Sequence, residues 1–165
     1  MAVNYGLGGF EQGSAFFAAY NNSSQTIPIT TQNVGVAVRT FTDVNLGQDA
    51  GDFSSNFHLV EQTLGKFVVK TDGVFLVSYN MTTGDPSNNT IQAYISKNNL
   101  TNYGIQLGYC RSGDFFEVGS QALIYANHND FFNISVANTD GTSDVVLHNI
   151  NVSIVKLKYG GRING

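Results

Sequence analysis

Charge is scarce in this sequence. Of 165 residues only 12% are Asp, Glu, Lys or Arg, and 8 basic residues face 12 acidic ones, for a formal charge of -4. The basic residues are scattered, which argues against a nucleic-acid partner, because binding phosphates takes grouped cations. Cysteine is nearly absent: Cys110 stands alone, so no disulfide forms within the chain and no zinc-ligand spacing exists. Stability must therefore come from buried apolar surface. No run of 18 apolar residues occurs, so no membrane-spanning helix and no membrane partner is expected. Residues 1–13 carry neither a cationic start nor an apolar stretch of secretory length, and export by that route is not expected. Helical periodicity is missing as well, apart from one candidate turn at residues 49–55.

What is present is apolar and uncharged polar. Hydrophobic residues make up 42% of the chain, and Asn, Ser, Thr, Gln and Gly supply most of the rest, a composition that folds but covers its surface with little charge. Such a surface suits a protein lying against other protein over much of its area. The length fits one domain with a real core. Apolar residues alternate or come in short bursts, broken by Gly, Asn and Asp, which predicts strands at 14–20, 27–31, 34–41, 57–60, 65–70, 73–81, 90–97, 105–111, 115–125, 131–138 and 144–158. Asp72-Gly73 and Asp140-Gly141 are expected to make tight hairpins, with Gly at positive φ. Residues 83–89 form the clearest loop. The expected class is an all-β antiparallel sandwich.

The division expected is an extended N-terminal arm at 1–13, a jelly-roll domain at 14–159 and a tail at 160–165. The arm contains four glycines, at positions 6, 8, 9 and 13, and reads either as a reaching segment that touches a neighbour through Tyr5, Leu7 and Phe10 or as a loose end. The strand faces are more telling. In residues 74–79, Phe75, Val77 and Tyr79 point one way while Val74 and Leu76 point the other, so both faces are apolar. Phe131, Phe132, Ile134 and Val136 repeat the pattern, as do Ile150, Val152, Ile154 and Val155. One face covers a core; the other needs a subunit. Val74, Phe75, Leu76, Tyr79, Phe131, Phe132 and Ile154 are the candidate interface. The alternative is that loops cover these strands.

Residues 65–79 resemble a hairpin of the C1q and tumour necrosis factor superfamily, in which a strand turns at Pro-Gly into an aromatic-rich strand; here Asp72 occupies the Pro position. Residues 119–136 are similar to a later hairpin of that family, with Asn129-Asp130 where Gly-Asp is usual. Residues 149–159 look like its last inner strand without the Phe-Gly signature. The resemblance covers about residues 14–158. It implies a ten-stranded jelly roll assembled as a compact homotrimer with aromatic and aliphatic side chains at the three-fold axis.

Catalytic constellations are not found. His58, His128 and His148 stand apart in sequence with no ligand spacing, no Gly-x-Ser-x-Gly elbow occurs, and Cys110 sits in an apolar strand. No enzyme activity and no cofactor are expected. Asp43, Asn45, Asp49 and Asp52 form the one weak calcium candidate, but an EF-hand-like loop counted from Asp43 would need a carboxylate where Ser54 stands, and a solvated loop is the preferred reading. Seven Asn-x-Ser/Thr sequons follow from the Asn- and Thr-rich composition.

These readings lead to an expected trimeric capsid decoration or cement protein of a bacteriophage, assembled in the host cytoplasm and placed on the virion surface. Its partners would be the major capsid protein or another virion protein. The alternative is a receptor- or glycan-binding spike or fibre tip, or a C1q-like head of a bacterial surface protein, with loop 83–89 carrying specificity.

Overall fold

The computed structural model describes residues 16–44, 60–84 and 88–157. Among them run twelve strands: β1 (Phe16–Asn21), β2 (Gln25–Ile27), β3 (Val36–Ala37), β4 (Thr42–Val44), β5 (Val60–Thr63), β6 (Lys66–Val69), β7 (Gly73–Gly84), β8 (Asn89–Lys97), β9 (Thr101–Cys110), β10 (Phe115–Ala126), β11 (Phe131–Asn138) and β12 (Val145–Leu157). They form two six-stranded sheets. The first has the order β10-β7-β12-β1-β4, with β2 paired to β12; the second has the order β5-β6-β11-β8-β9, with β3 paired to β11. Every pairing is antiparallel. This is the all-β sandwich that the alternation of apolar residues implies. Most of the long strands fall where the sequence places them, but β7 runs three residues past its expected end and β9 starts at Thr101, four residues before the expected 105. The expected strand at 34–41 breaks into β3 and an irregular stretch before β4. The arm at 1–13, the turn at 49–55 and the tail at 160–165 lie outside the described residues.

Two expected hairpins are sheet-to-sheet crossings instead. β6 belongs to the second sheet and β7 to the first, so residues 65–79 do not fold back as a pair; β10 and β11 likewise lie in opposite sheets. Gly73 does not take a positive φ. It opens β7 opposite Ala126. Asp72 accepts a hydrogen bond on its side chain from the His128 backbone N–H at 2.6 Å, which ties the two crossings together. The hairpin expected at Asp140-Gly141 is also a crossing, from β11 of the second sheet to β12 of the first, and it has no left-handed glycine: the buried Asn138 side chain accepts from both the Asp140 and Gly141 N–H groups at 3.0 Å. A left-handed pair does lie at Leu64 (φ 52°) and Gly65 (φ 78°), joining β5 to β6. These two residues form the two-residue turn that matches the twist of a hairpin.

The core lies between the sheets. Phe75, Val77, Tyr79 and Met81 on β7 and Ile150, Val152 and Ile154 on β12 meet Phe132, Ile134 and Val136 on β11 and Ile91 and Ile95 on β8. The Phe75 and Phe132 rings meet edge to face at 5.9 Å. Four of the expected interface residues are therefore interior: Phe75, Tyr79, Phe132 and Ile154 are 1%, 4%, 0% and 1% exposed, respectively. These side chains fill the layer between the two sheets, Phe132 from the second sheet and the other three from the first. Phe132→Ala is expected to cost about 3–5 kcal/mol, as other buried Phe truncations do, measured as a lower urea midpoint with an unchanged slope.

One end of the sandwich is held by polar side chains. Asp130 accepts from the Asn127 backbone N–H at 2.8 Å and from the Asn98 side chain at 2.7 Å, and pairs with Lys97 at 2.9 Å. The backbone hydrogen bond, then those from Asn98 and Lys97, lower its pKa from 3.8 to about 2. A carboxylate with a depressed native pKa adds stability that is present above its unfolded value and is lost as pH falls through its folded value. Asp130→Asn should thus lower stability at neutral pH and flatten the acid side of the stability profile between 3.8 and about 2, as followed by urea melts at stepped pH.

Candidate functional site

The outer faces of the two sheets differ in chemistry. On the first sheet, Leu76 stands opposite Leu123 on one side and Val155 on the other, and Val74 stands between Tyr125 and Leu157. Leu123, Tyr125 and Leu157 are 62%, 57% and 37% exposed, and together these six side chains make a continuous apolar block facing away from the core. Val74 and Leu76 are thus placed on an outward face, as the sequence reading has them. Beyond the block the same face turns polar, with the hydroxyls of Ser78 and Ser153 2.5 Å apart and Asn80 opposite Asn151.

A second apolar feature lies at the sandwich edge. β9 ends the second sheet and β10 ends the first, and the two edges touch, with Gly104 close to Ser120 and Gly108 close to Phe116; from β7, next to β10, Tyr79 donates its hydroxyl to the Gly104 carbonyl at 3.2 Å. A side chain on Gly108 would collide with Phe116, so the absence of one lets the two edges close up. The β8–β9 register shifts between Ala93 and Ile95 near Gly104 at φ 56°, and beyond that shift Ile105, Leu107 and Tyr109 project outward at alternate positions. Phe115, at the start of β10, is also exposed and packs its ring on His148 at 4.1 Å.

Over β8 and β11 the outer face of the second sheet is polar and concave. A groove of about 840 Å³ lies over β8 and β11. Its floor is Tyr94, Ser96, Asn133 and Ser135, all buried. The second face of β11 is therefore lined with amide and hydroxyl groups rather than with the apolar side chains expected there, and Phe131 sits on that side under the Lys66 ammonium, 4.6 Å from its ring centre. Phe131 belongs to the groove face and not to the apolar block. One wall of the groove comes from Asn33, Gly35 and Arg39, the opposite one from Asn99 on the β8–β9 turn and Asn102 at the start of β9, with Lys66 at the end. The Asn133 amide donates to the Asn99 side chain at 2.8 Å, while its own oxygen has no partner among the described residues. Tyr94 has its pKa raised by burial, which keeps it a neutral hydrogen-bonding phenol.

Sequence reasoning missed this groove, because its residues come from four segments and none forms a motif. Tyr94, Ser96, Asn133 and Ser135 do alternate on two paired strands, Ser96 opposite Asn133 and Tyr94 opposite Ser135. That alternation, polar residues on one face of otherwise apolar strands, was the available signal. Among the calcium candidates, Asp43 lies within β4 with its backbone paired to Ala19; Asn45, Asp49 and Asp52 lie outside the described residues, as do Tyr5, Leu7 and Phe10 of the arm. Among the described residues no group of three or more His, Cys, Asp or Glu could hold a metal ion, and no helix is long and apolar enough to cross a membrane. His128 is exposed at one crossing and His148 lies against Phe115, so the two share no site. Cys110 is buried and gives its thiol to the Asp114 carbonyl at 3.0 Å.

Two six-stranded antiparallel sheets in this order, joined by crossings between layers, make a jelly-roll sandwich. No protein-family model matches the sequence, and no curated protein matches it. Solved structures do match. Eiger TNF from S. frugiperda superposes with a TM-score of 0.60 at 13% identity, covering 92% of this chain and 98% of that one. The globular domain of zebrafish complement 1qA gives 0.57 at 12% identity, covering 88% and 98%. The PRD1 vertex protein gives 0.57 at 13% identity, covering 88% and 99%. At such identities the fold is what is shared.

Gly35 tests the packing of the groove wall. A methyl group there would collide with the Tyr94 hydroxyl, so Gly35→Ala should destabilise the protein by about 1–3 kcal/mol, the usual cost of overpacking. Adding Tyr94→Phe, which removes the struck oxygen, should recover part of that loss in the same thermal or urea melts. Equal destabilisation with and without the hydroxyl would show that the contact is elsewhere.

Proposed function

We propose that this chain is a non-enzymatic, homotrimeric recognition head displayed on a surface, which assembles through the first sheet and binds a receptor or glycan with other surfaces. The observation that carries the reading is the division of labour between faces. The block of Val74, Leu76, Leu123, Tyr125, Val155 and Leu157 is apolar, and so is the edge strand with Ile105, Leu107 and Tyr109, whereas the second sheet presents polar groups in a concave groove.

Large exposed apolar patches mark contact surfaces. Here there are two different ones, a flat face and a projecting edge. When the edge of one copy seats on the face of the next, the contact is heterologous and repeats head to tail until it closes as a ring. A ring of three is what the resemblance to C1q and tumour necrosis factor implies, and the likeness of fold to Eiger TNF and the complement 1qA globular domain supports it. Val74 and Leu76 keep their proposed interface role; Leu123, Tyr125, Leu157 and the β9 side chains join them. In such a ring the grooves of the second sheet face outward, three to an assembly.

A second reading, a virion structural protein that decorates or cements a bacteriophage capsid, is supported by the likeness of fold to the PRD1 vertex protein. In that setting the chain sits on the virion surface and the arm, through Tyr5, Leu7 and Phe10, contacts the major capsid protein.

Sedimentation tests the assembly. The wild-type protein should run as a trimer at micromolar concentration, and Leu123→Glu, which places a charge in the apolar block, should run as a folded monomer. A wild-type monomer would overturn the proposal. Deletion of residues 1–13 separates the two readings: the truncated trimer should keep its binding to target cells if it is a recognition head, and should lose capsid occupancy if it is a cement protein.

A further inference from the structure

We propose that the groove on the second sheet binds a carboxylate-bearing saccharide, held by Arg39 and Lys66 at its acidic group and by the Asn and Ser side chains at its hydroxyls. This deepens the recognition reading and rests on it. Three features of the groove point to this ligand class.

The first is charge. Overall the chain is acidic, at -4, yet among the described residues the groove lining includes Arg39 and Lys66 and no Asp or Glu. Both cations are exposed, and neither makes an ion pair among the described residues. A planar guanidinium offers two parallel donors that match a carboxylate. The Lys66 ammonium is steadied over the Phe131 ring and supplies a second positive charge.

The second is the density of uncharged hydrogen-bonding groups. Asn33, Asn99 and Asn102 line the walls, and Ser96, Asn133 and Ser135 the floor. Amides and hydroxyls both donate and accept, as sugar hydroxyls do. Asn133, 2% exposed, leaves its side-chain oxygen without a partner among the described residues. A buried acceptor in that state is unfavourable in an apolar setting and marks the floor as a polar one.

The third is the rim. Leu100, Leu64 and Val34 are 86%, 74% and 52% exposed around the groove. Apolar groups around a polar floor suit a ligand with both hydroxyls and C–H faces, whereas a free inorganic anion would leave them unused. An acidic peptide would use the cations but not the dense ring of uncharged side-chain amides.

The site lies within one protomer, so each copy binds alone, and a trimer gains by avidity on a surface that displays many copies of the ligand. The test uses the full chain and three probes: 3′-sialyllactose, a glucuronic-acid disaccharide and neutral lactose, titrated calorimetrically at low and high salt. At least one of the two acidic probes should bind and lactose should not, with affinity falling as salt rises. Arg39→Ala and Lys66→Ala should each weaken binding roughly tenfold or more, as loss of a charge-assisted hydrogen bond does. Leu123→Glu, remote from the groove, should keep the single-site affinity while losing avidity on glycan-coated beads. Equal binding of lactose, binding of an acidic peptide in place of both acidic sugars, or no binding of any probe each overturns the saccharide assignment. If the protein still attaches to target cells while Arg39→Ala and Lys66→Ala attach equally well, the groove is not the site and the recognition role stands. If the protein attaches to nothing, that role fails too.

Discussion

Everything in this molecule depends on two sheets closing over one layer of side chains. Phe75 and Phe132, one from each sheet, meet edge to face, and around them β7, β8, β11 and β12 contribute one face each. Side chains alternate along a strand, so committing one set to this layer commits the intervening set to the outside. The character of each outer surface is thus a consequence of the core, and it differs between the sheets. On β7 the leftover set begins Val74 and Leu76; on β11 it is Phe131 followed by Asn133, Ser135 and Ala137.

That difference makes the two sides of the sandwich suited to different tasks. An apolar outer face gains from exclusion of water by another protein surface, roughly in proportion to area. A concave polar face gains little from bulk contact and more from a ligand whose hydrogen-bonding groups match its own. The edge between them, where β9 leans against β10, adds a third surface. Glycine at 104 and 108 lets the two edges approach, since a side chain at either position would meet Ser120 or Phe116. The crossings at the far end are held by Asp72 and Asp130, whose carboxylates gather backbone and side-chain donors from segments distant in sequence.

Much of the fold was legible in the residues. The strands at 115–126, 131–138 and 145–157 are visible because period-two alternation runs for eight residues or more and is bounded by Gly, Asn and Asp. The short segments near residues 27–44 were less clear: β2 and β3 are three and two residues long, and whether such a piece is a strand depends on which neighbour offers a free edge. For the site, Val74 and Leu76 were placed on an outer face from alternation alone. Phe75, Tyr79, Phe132 and Ile154 were read as interface because an apolar face looks the same whether a second sheet or a second subunit covers it. The groove was not read at all, since Arg39, Lys66, Tyr94 and Asn133 become neighbours only when β3, β6, β8 and β11 are laid side by side.

By itself, the sequence determined the class of this protein: all-β, without a disulfide within the chain, with alternating strands and surfaces poor in charge. These follow from composition and from alternation along one strand, which are local. Tertiary structure alone decided which face of each strand turns inward, that residues 65–79 and 119–136 cross between layers instead of folding back, and that two cations and a set of amides converge over one sheet. Those outcomes depend on pairings between segments far apart in the chain, and a periodic pattern says which residues share a face but not what that face will meet.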